Sequence, residues 1–471
     1  MAKRIPLRLV GPSRAGRSLT LSAERTVNLL LEVNGEGKTA IPALIGTPGL
    51  ELFVNLSATS PTRGRHVFKG RLFAVVGKDI FEVYEDGTYK RWGSLGTTSG
   101  TVGMADSNGK IVIADGAGLF VLDLDTGTLI ESLIDGVTPI ASNVIGYIDG
   151  VIAAVITDTQ EVVYSEPLAP QTFLGDSVVA AESNIDYVVG MLVLHQEVQF
   201  LGTDTIEPWV YTGGADNAFE RRDGGIAERG CGEAHAAFKV NDSFAFVGND
   251  RRIYFMIGYT PKAISSHAVE NALGKVDLST VTGFAFEEEG HIYGQWAIGA
   301  TSWVYDFTIG AWFERAWLSP TTGQYERHRA EWCANVFGLN LVGDYETGKI
   351  YRQSLDVHAD NGSPLRRLRR FAIETGLDFP TIDLLRFDLE VGVGLDGDPA
   401  AFGADPMLAL RMSFDGGATW GSWEECSVGR IGETRAVAEF TRCGSGPDPV
   451  CEIACSAPVR LVLKSATATV S

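Results

Sequence analysis

Apolar and polar residues alternate along most of this chain with a period of two, and the helical period of 3.6 is almost absent. A period of two places alternate side chains on opposite faces of a sheet, so it predicts strands. The alternation is itself repeated. Between Gly64 and Leu355 each unit predicts a strand, a tight polar turn, a second strand, a longer turn and an aromatic-rich third strand. The clearest copy is Val67-Phe68-Lys69-Gly70-Arg71, then Leu72-Phe73-Ala74-Val75-Val76, a turn at Gly77-Lys78-Asp79, and Ile80-Phe81-Glu82-Val83-Tyr84. The middle strands end at Gly77, Asp115, Thr157, Gly202, Gly248, Gly299 and Gly343, at spacings of 38, 42, 45, 46, 51 and 44 residues. A period of about 40 to 50 residues is that of a propeller blade. The third strands carry Phe81, Phe120, Tyr164, Trp209, Tyr254, Tyr305 and Tyr351, placed to fill the wedges between blades. A sheet of three or four strands cannot bury both faces alone, so the copies must stack around an axis. The expected fold is all-β, with a β-propeller of about six to eight blades.

The turns agree with that reading. Asn108-Gly109, Asp149-Gly150, Asn241-Asp242 and Glu289-Gly290 each separate two apolar runs. Asn-Gly and Asp-Gly tolerate the positive φ that two-residue hairpins need. Helix-like pieces are short, such as His267 to Leu273. The flanks differ in character. Residues 1–60 read as strands that join a second domain, residues 61–358 as the propeller, and residues 359–471 as a C-terminal β domain, entered through Gly362-Ser363-Pro364. Together the two termini are expected to build a β-sandwich-like platform.

Three nucleotide- or metal-like motifs fail on spacing or context. Gly35-Glu36-Gly37-Lys38-Thr39 ends like a phosphate-binding loop, but Glu32 stands where that loop needs its first glycine. Asp123-Leu124-Asp125-Thr126-Gly127 opens like a calcium loop, but Thr128 replaces the required glycine and Ile134 the bidentate glutamate. Gly392-Val393-Gly394-Leu395-Asp396-Gly397 follows a strand, Leu384 to Val391, but no helix follows it to hold a pyrophosphate. No zincin, paired-cysteine or nucleophile-elbow motif occurs, and the seven histidines are scattered. No catalytic residue, cofactor site or metal site is therefore assigned.

Two constellations remain. Ser413-Phe414-Asp415-Gly416-Gly417-Ala418-Thr419-Trp420 fits the aspartate-box pattern at Ser413, Asp415, Gly417, Thr419 and Trp420. In such a box the carboxylate accepts amide hydrogens across the turn, glycine supplies positive φ and tryptophan packs over the hairpin. It is a device of folding, not of catalysis. Arg366, Arg367, Arg369 and Arg370 form the one basic cluster. Two readings are open: a solvated strand with Leu368 facing inward, or a contact with an acidic partner subunit or nucleic acid.

Composition narrows the function. The 471 residues are 45% hydrophobic, enough for sizeable cores, and 59 acidic against 39 basic residues give a net charge of −20. Such a surface is not built to grip phosphate backbones, although DNA could slide past it without sticking. Acidity also serves simple solubility. No apolar run reaches the roughly 18 residues of a membrane helix. Met1-Ala2-Lys3-Arg4-Ile5-Pro6 lacks the apolar stretch of a signal peptide, which implies synthesis in the cytoplasm without a stable membrane anchor. Cysteines occur at 231, 333, 426, 443, 451 and 455. A disulfide among Cys443, Cys451 and Cys455 and free thiols both stay open; Cys443-x7-Cys451-x3-Cys455 matches no common zinc spacing.

Three stretches taken together resemble a known family. Glu24 to Leu50, with Arg25, Asn28, Glu32 and Thr47-Pro48-Gly49-Leu50, is similar to the opening of the packaged-DNA stabilisation or tail-nozzle (tail-hub) proteins of short-tailed bacteriophages. Gly224 to Gly230, Asn241 to Gly248 and Pro261 to Glu270 resemble its middle, and Asp398 to Trp420 with Gly429 to Arg435 its C-terminal strand block. Thr441 to Ala454 departs from the family pattern. The resemblance implies a structural virion protein without enzymatic residues. It implies a homo-oligomeric ring of six subunits, with a propeller around or beside a DNA channel. The partners it implies are the portal and adaptor above and tail fibre, tailspike or needle proteins, with double-stranded DNA in transient passage. A competing expectation, from the aspartate box and the exposed aromatics, is a glycan-binding or sialidase-like propeller that recognises a host surface.

Overall fold

The computed structural model describes residues 3–14, 22–34, 41–180, 186–214, 218–222, 224–398 and 400–471. The phosphate-loop lookalike at 35–39 lies outside them. Seven blades are present. Blade 1 runs outward through Thr62–Phe68, Arg71–Val76, Asp79–Val83 and Tyr89–Ser94, all antiparallel. Blades 2 to 6 occupy 103–134, 145–180, 188–221, 238–263 and 282–318. Blade 7 takes three strands from Ala330–Val336, Leu339–Asp344 and Lys349–Ser354 and its outer strand from Gly49–Asn55. The last strand of residues 1–60 therefore belongs to the propeller, not the platform. It closes the ring with a segment about 300 residues away in sequence.

The seven aromatics sit on the third strand of each blade. Phe81, Tyr254 and Tyr351 are buried, and the other four are half-buried. Rings meet across the wedges: Tyr164 of blade 3 lies 5.2 Å from Phe219 of blade 4, and Phe238 of blade 5 lies 4.8 Å from Trp296 of blade 6. At the hairpins Asn108, Gly109, Asp149, Gly150, Glu289 and Gly290 all have positive φ, while at Asn241-Asp242 only Asn241 does. His267–Leu273 is the α-helix among the described residues, capped by Ser266.

Around the axis, glycines let neighbouring innermost strands close on one another. A Cβ on Gly64 would meet Val102 O at 2.6 Å, one on Gly103 would meet Asn143 O at 2.5 Å, and one on Gly190 would meet Ala234 Cβ at 3.1 Å.

The platform is a two-layer sandwich drawn from both termini. One sheet orders Leu29–Asn34, Ile41–Gly46, Val462–Val470, Thr381–Leu389 and Ala438–Ser445, with Lys3–Leu7 also pairing Val462–Val470. The other orders Arg25–Val27, Arg367–Ala372, Val450–Cys455, Met407–Ser413 and Glu424–Ser427. Leu385, Phe387, Phe440, Leu410 and Ile453 fill the core between them. The second sheet is continuous with blade 6, because Val27 pairs in parallel with Glu314.

All six cysteines are free. Cys451 and Cys455 lie four positions apart on one strand, about 13 Å at the usual rise, beyond the reach of a disulfide. That excludes the Cys451–Cys455 pairing alone; in the structure all three are thiols packed in or against the platform core. Burial pushes the Cys443 thiol up to about 11, so it stays protonated and unreactive.

Candidate functional site

The four-arginine cluster divides by strand alternation. Arg367 and Arg369 point inward and are buried, at 1% and 0% exposure. Arg369 donates to Leu9 O at 2.6 Å and Pro12 O at 3.2 Å, and to Thr26 Oγ1 at 2.9 Å. Arg367 donates to Ala457 O at 3.0 Å. A solvated strand with only Leu368 inward is thus not what forms. A guanidinium carries five donors in a rigid fork, and the carbonyls of the N-terminal segment supply acceptors that no ladder uses. These two arginines are internal staples and leave the subunit-contact candidates.

Other members of the same seam carry the opening of the family resemblance. Arg25 pairs with Glu314 at 2.8 Å, and Ser13 Oγ donates to the same carboxylate at 2.7 Å. Asn28, at φ 54°, donates to Ala316 O at 2.8 Å and accepts from Ala316 N at 2.9 Å, so its side chain mimics a strand partner. Arg315 of blade 6 donates to Pro48 O at 2.9 Å. Asp360 lies buried nearby with no side-chain hydrogen bond, and burial pushes its carboxyl up to about 7 against the pull of Arg315 and Arg367.

Arg366 and Arg370 face outward, and there the cluster and the aspartate box come together. Arg370 lies 4.8 Å above the Trp420 ring, and Arg411 lies 4.7 Å from Trp420 and 4.6 Å from Trp423. Arg366 covers the other face of this series, 4.9 Å from Trp423. The order Arg370, Trp420, Arg411, Trp423, Arg366 forms a ladder of guanidinium planes and indoles. Beneath it Glu452, fully buried, accepts from Arg370 Nε at 2.6 Å and Arg411 Nε at 2.7 Å. Each cation–π contact is worth about 0.5–2 kcal/mol depending on desolvation. No carboxylate among the described residues pairs with Arg366.

The box itself is internally satisfied. Asp415 accepts from Thr419 N at 2.9 Å, Thr419 Oγ1 at 2.5 Å and Ser413 Oγ at 2.7 Å. These donors, Thr419 foremost, hold the carboxyl well below the ordinary carboxylate range. Gly417 has φ 98°, and its carbonyl accepts from Trp420 Nε1 at 3.1 Å. The carboxylate is spent on the turn, and what the hairpin presents outward is Trp420.

Two hollows flank the ladder. One, of about 480 Å³, has Ala409, Ala454 and Ala457 among its lining, with Trp423, Phe402 and Arg366 around them. The other, of about 580 Å³, lies by Trp420, Arg411, Phe414 and Cys443. Nothing in this arrangement pairs a nucleophile with a base, since Glu452 is held by two guanidinium groups. Among the described residues no three His, Cys, Asp or Glu side chains converge as metal ligands, and no helix is long and apolar enough to cross a membrane.

Sequence patterns singled out Arg366, Arg370 and Trp420 but missed Arg411, Trp423 and Glu452. Glu452 was the available signal. A lone carboxylate inside the apolar strand Val450–Cys455 needs a buried cation partner.

The fold is a seven-bladed propeller joined to a sandwich built from both terminal segments. The chain belongs to the phage-stabilisation family: the family model described as "Bacteriophage P22 Gp10, beta-propeller" matches residues 3–357. It is thus a phage structural protein. No curated protein matches the chain. Among solved structures, the computationally designed Ika8 protein is similar at 15% identity and TM-score 0.37, covering 64% of this chain and 99% of its own. BamB from Moraxella catarrhalis is similar at 9% identity and TM-score 0.40, covering 69% and 94%. PorZ from Porphyromonas gingivalis is similar at 10% identity and TM-score 0.39, covering 70% and 44%.

Proposed function

We propose that this chain is a tail nozzle or hub subunit of the virion, forming a homohexameric ring that closes the tail, retains packaged DNA and conducts it during ejection. The family match over 3–357 carries this reading. The ring sits below the portal and adaptor and meets tail fibre, tailspike or needle proteins. In this reading the DNA passes through a channel that the propellers surround or flank. At −20 per chain, six copies carry −120 in total. An acidic lumen repels the phosphate backbone and lets DNA pass without sticking, so retention falls to a constriction or a partner. The satisfied aspartate box supports a folding role and gives the glycan reading no specific support.

Mixing the purified chain with its adaptor and imaging by electron microscopy tests this. A ring with a central opening wide enough for a duplex is the expected result. A chain that stays monomeric with adaptor present would sink it.

A further inference from the structure

On the outer face of the platform, one apolar hollow and one exposed apolar loop lie at opposite ends of the same strand, Arg367–Ala372. The hollow, of about 480 Å³, adjoins Arg366 at the start of that strand. Its small residues Ala409, Ala454 and Ala457 leave room for a ring between Trp423 and Phe402, and Phe402 is 62% exposed. Arg366 is the one rung of the ladder without a carboxylate among the described residues. Beyond the strand's other end the loop 374–379 leaves Phe379 67% and Leu377 49% exposed. Glu374 and Asp378 flank them, and Ile373 and Pro380, both buried, anchor the loop at its base.

We propose that loop 374–379 of a second copy of this chain docks into this hollow, with Phe379 entering it and Asp378 pairing with Arg366. This inference rests on the ring reading and names its contact. Three observations favour a second copy. The loop is apolar and acidic, and the hollow is apolar with an unpaired guanidinium at its rim, so shape and charge complement each other. Glu425 and Asp405 also line the hollow, Asp405 engaged by Arg430 and Ser427, so Arg366 is the lining cation with which an incoming carboxylate can pair. The six-residue strand separates the two features by about 20 Å at the usual rise, so a chain cannot fill its own hollow. A patch that fits a different patch on an identical copy makes a head-to-tail contact, which closes into a ring when the rotation permits.

Mass photometry of the full chain, with and without adaptor, tests the contact. Arg366→Glu, Asp378→Arg and Phe379→Ser are each expected to weaken assembly at least tenfold, while circular dichroism of the monomer stays as in the parent and melting falls only slightly in Arg366→Glu, which loses its contact with Trp423. Combining Arg366→Glu with Asp378→Arg is expected to restore assembly. Single variants that assemble like the parent would overturn this contact and leave the ring reading intact. A folded double exchange that fails to assemble would overturn the Arg366–Asp378 pairing. A parent chain that never assembles, even with adaptor, would overturn both. Loss of DNA binding in Arg366→Glu with assembly unchanged would reassign the face to nucleic acid and overturn the proposal.

Discussion

The wedges between blades and the seam between propeller and platform solve one problem, joining two β-sheets, by opposite means. A wedge is apolar and local: Phe238 meets Trp296 and Tyr164 meets Phe219, each pair from consecutive blades. The seam is polar and distant: Arg25 of the platform reaches Glu314 of blade 6 across 289 residues, and Arg315 of blade 6 reaches the Pro48 carbonyl across 267. Apolar contacts are tolerant of register, so a repeat can be reused seven times with different residues. Guanidinium-to-carbonyl contacts are directional and fix one geometry. The difference suits a subunit whose propeller need only be stable, while its platform angle must be set.

The sharpest way to break this comparison is Arg369→Met. It leaves the carbonyls of Leu9 and Pro12 and the hydroxyl of Thr26 without their donor where the N-terminal segment joins the platform sheet. A loss of about 3–5 kcal/mol is expected, because each of several buried acceptors left without a donor costs about 1–3 kcal/mol. Calorimetry should then show the platform melting first, with the propeller transition nearly in place. A single unchanged transition would mean that this arginine does not hold the N-terminal segment to the platform.

On the propeller side the counterpart is Gly64→Val. Its Cβ would stand 2.6 Å from Val102 O, so blades 1 and 2 must part. We expect a loss of about 1–3 kcal/mol, the range of overpacking, confined to the propeller transition. Gly109→Ala at a hairpin meets open space, and only its positive φ opposes it. It should cost about 1 kcal/mol or less.

These two sides were not equally legible in the sequence. Middle-strand ends, third-strand aromatics and hairpin turns repeat every 38 to 51 residues, and repetition exposes a pattern that a single copy would hide, although the number of blades stayed open at about six to eight. The seam has no repeat. Arg369 and Leu9, or Arg411 and Glu452, are ordinary residues until the topology brings them together, and a run of arginines reads as solvated unless its acceptors are visible. The outer strand of blade 7 was equally silent, because Gly49–Asn55 is separated from its partner Lys349–Ser354 by six other blades. The aspartate box was legible as a turn, since the partners of its carboxylate, Ser413 and Thr419, lie within four residues. That its tryptophan would stack between Arg370 and Arg411 was not.

The seam also carries a pH signature that the wedges lack. Asp360 is raised by burial to about 7, above its unfolded value of 3.8, although Arg315 and Arg367 pull it back. A group whose native pKa is raised contributes its stabilisation at low pH. That contribution is lost as pH rises from about 4 through 7. Asp360→Asn, which mimics the protonated acid, should therefore match the parent near pH 4 and exceed it at pH 8 by about 1–2 kcal/mol. Urea titrations at both pH values measure this. A variant that is weaker at pH 8 would show that the two arginines outweigh desolvation.

A small effect tests whether the box belongs to folding alone. Ser413 is buried, and its hydroxyl donates to Asp415 at 2.7 Å and accepts from Gly417 N at 2.9 Å. Removing it in Ser413→Ala breaks two hydrogen bonds but leaves Thr419 holding the carboxylate. A cost of about 1 kcal/mol follows, read as a lower platform transition with the propeller unmoved. Because Trp420 keeps its bond to Gly417 and its place in the ladder, fluorescence of the stacked indoles should not change. If the indole signal shifts along with the melt, the box does more than close a turn: it would be setting the spacing of the ladder, and the polar seam would extend to the outer face of the platform.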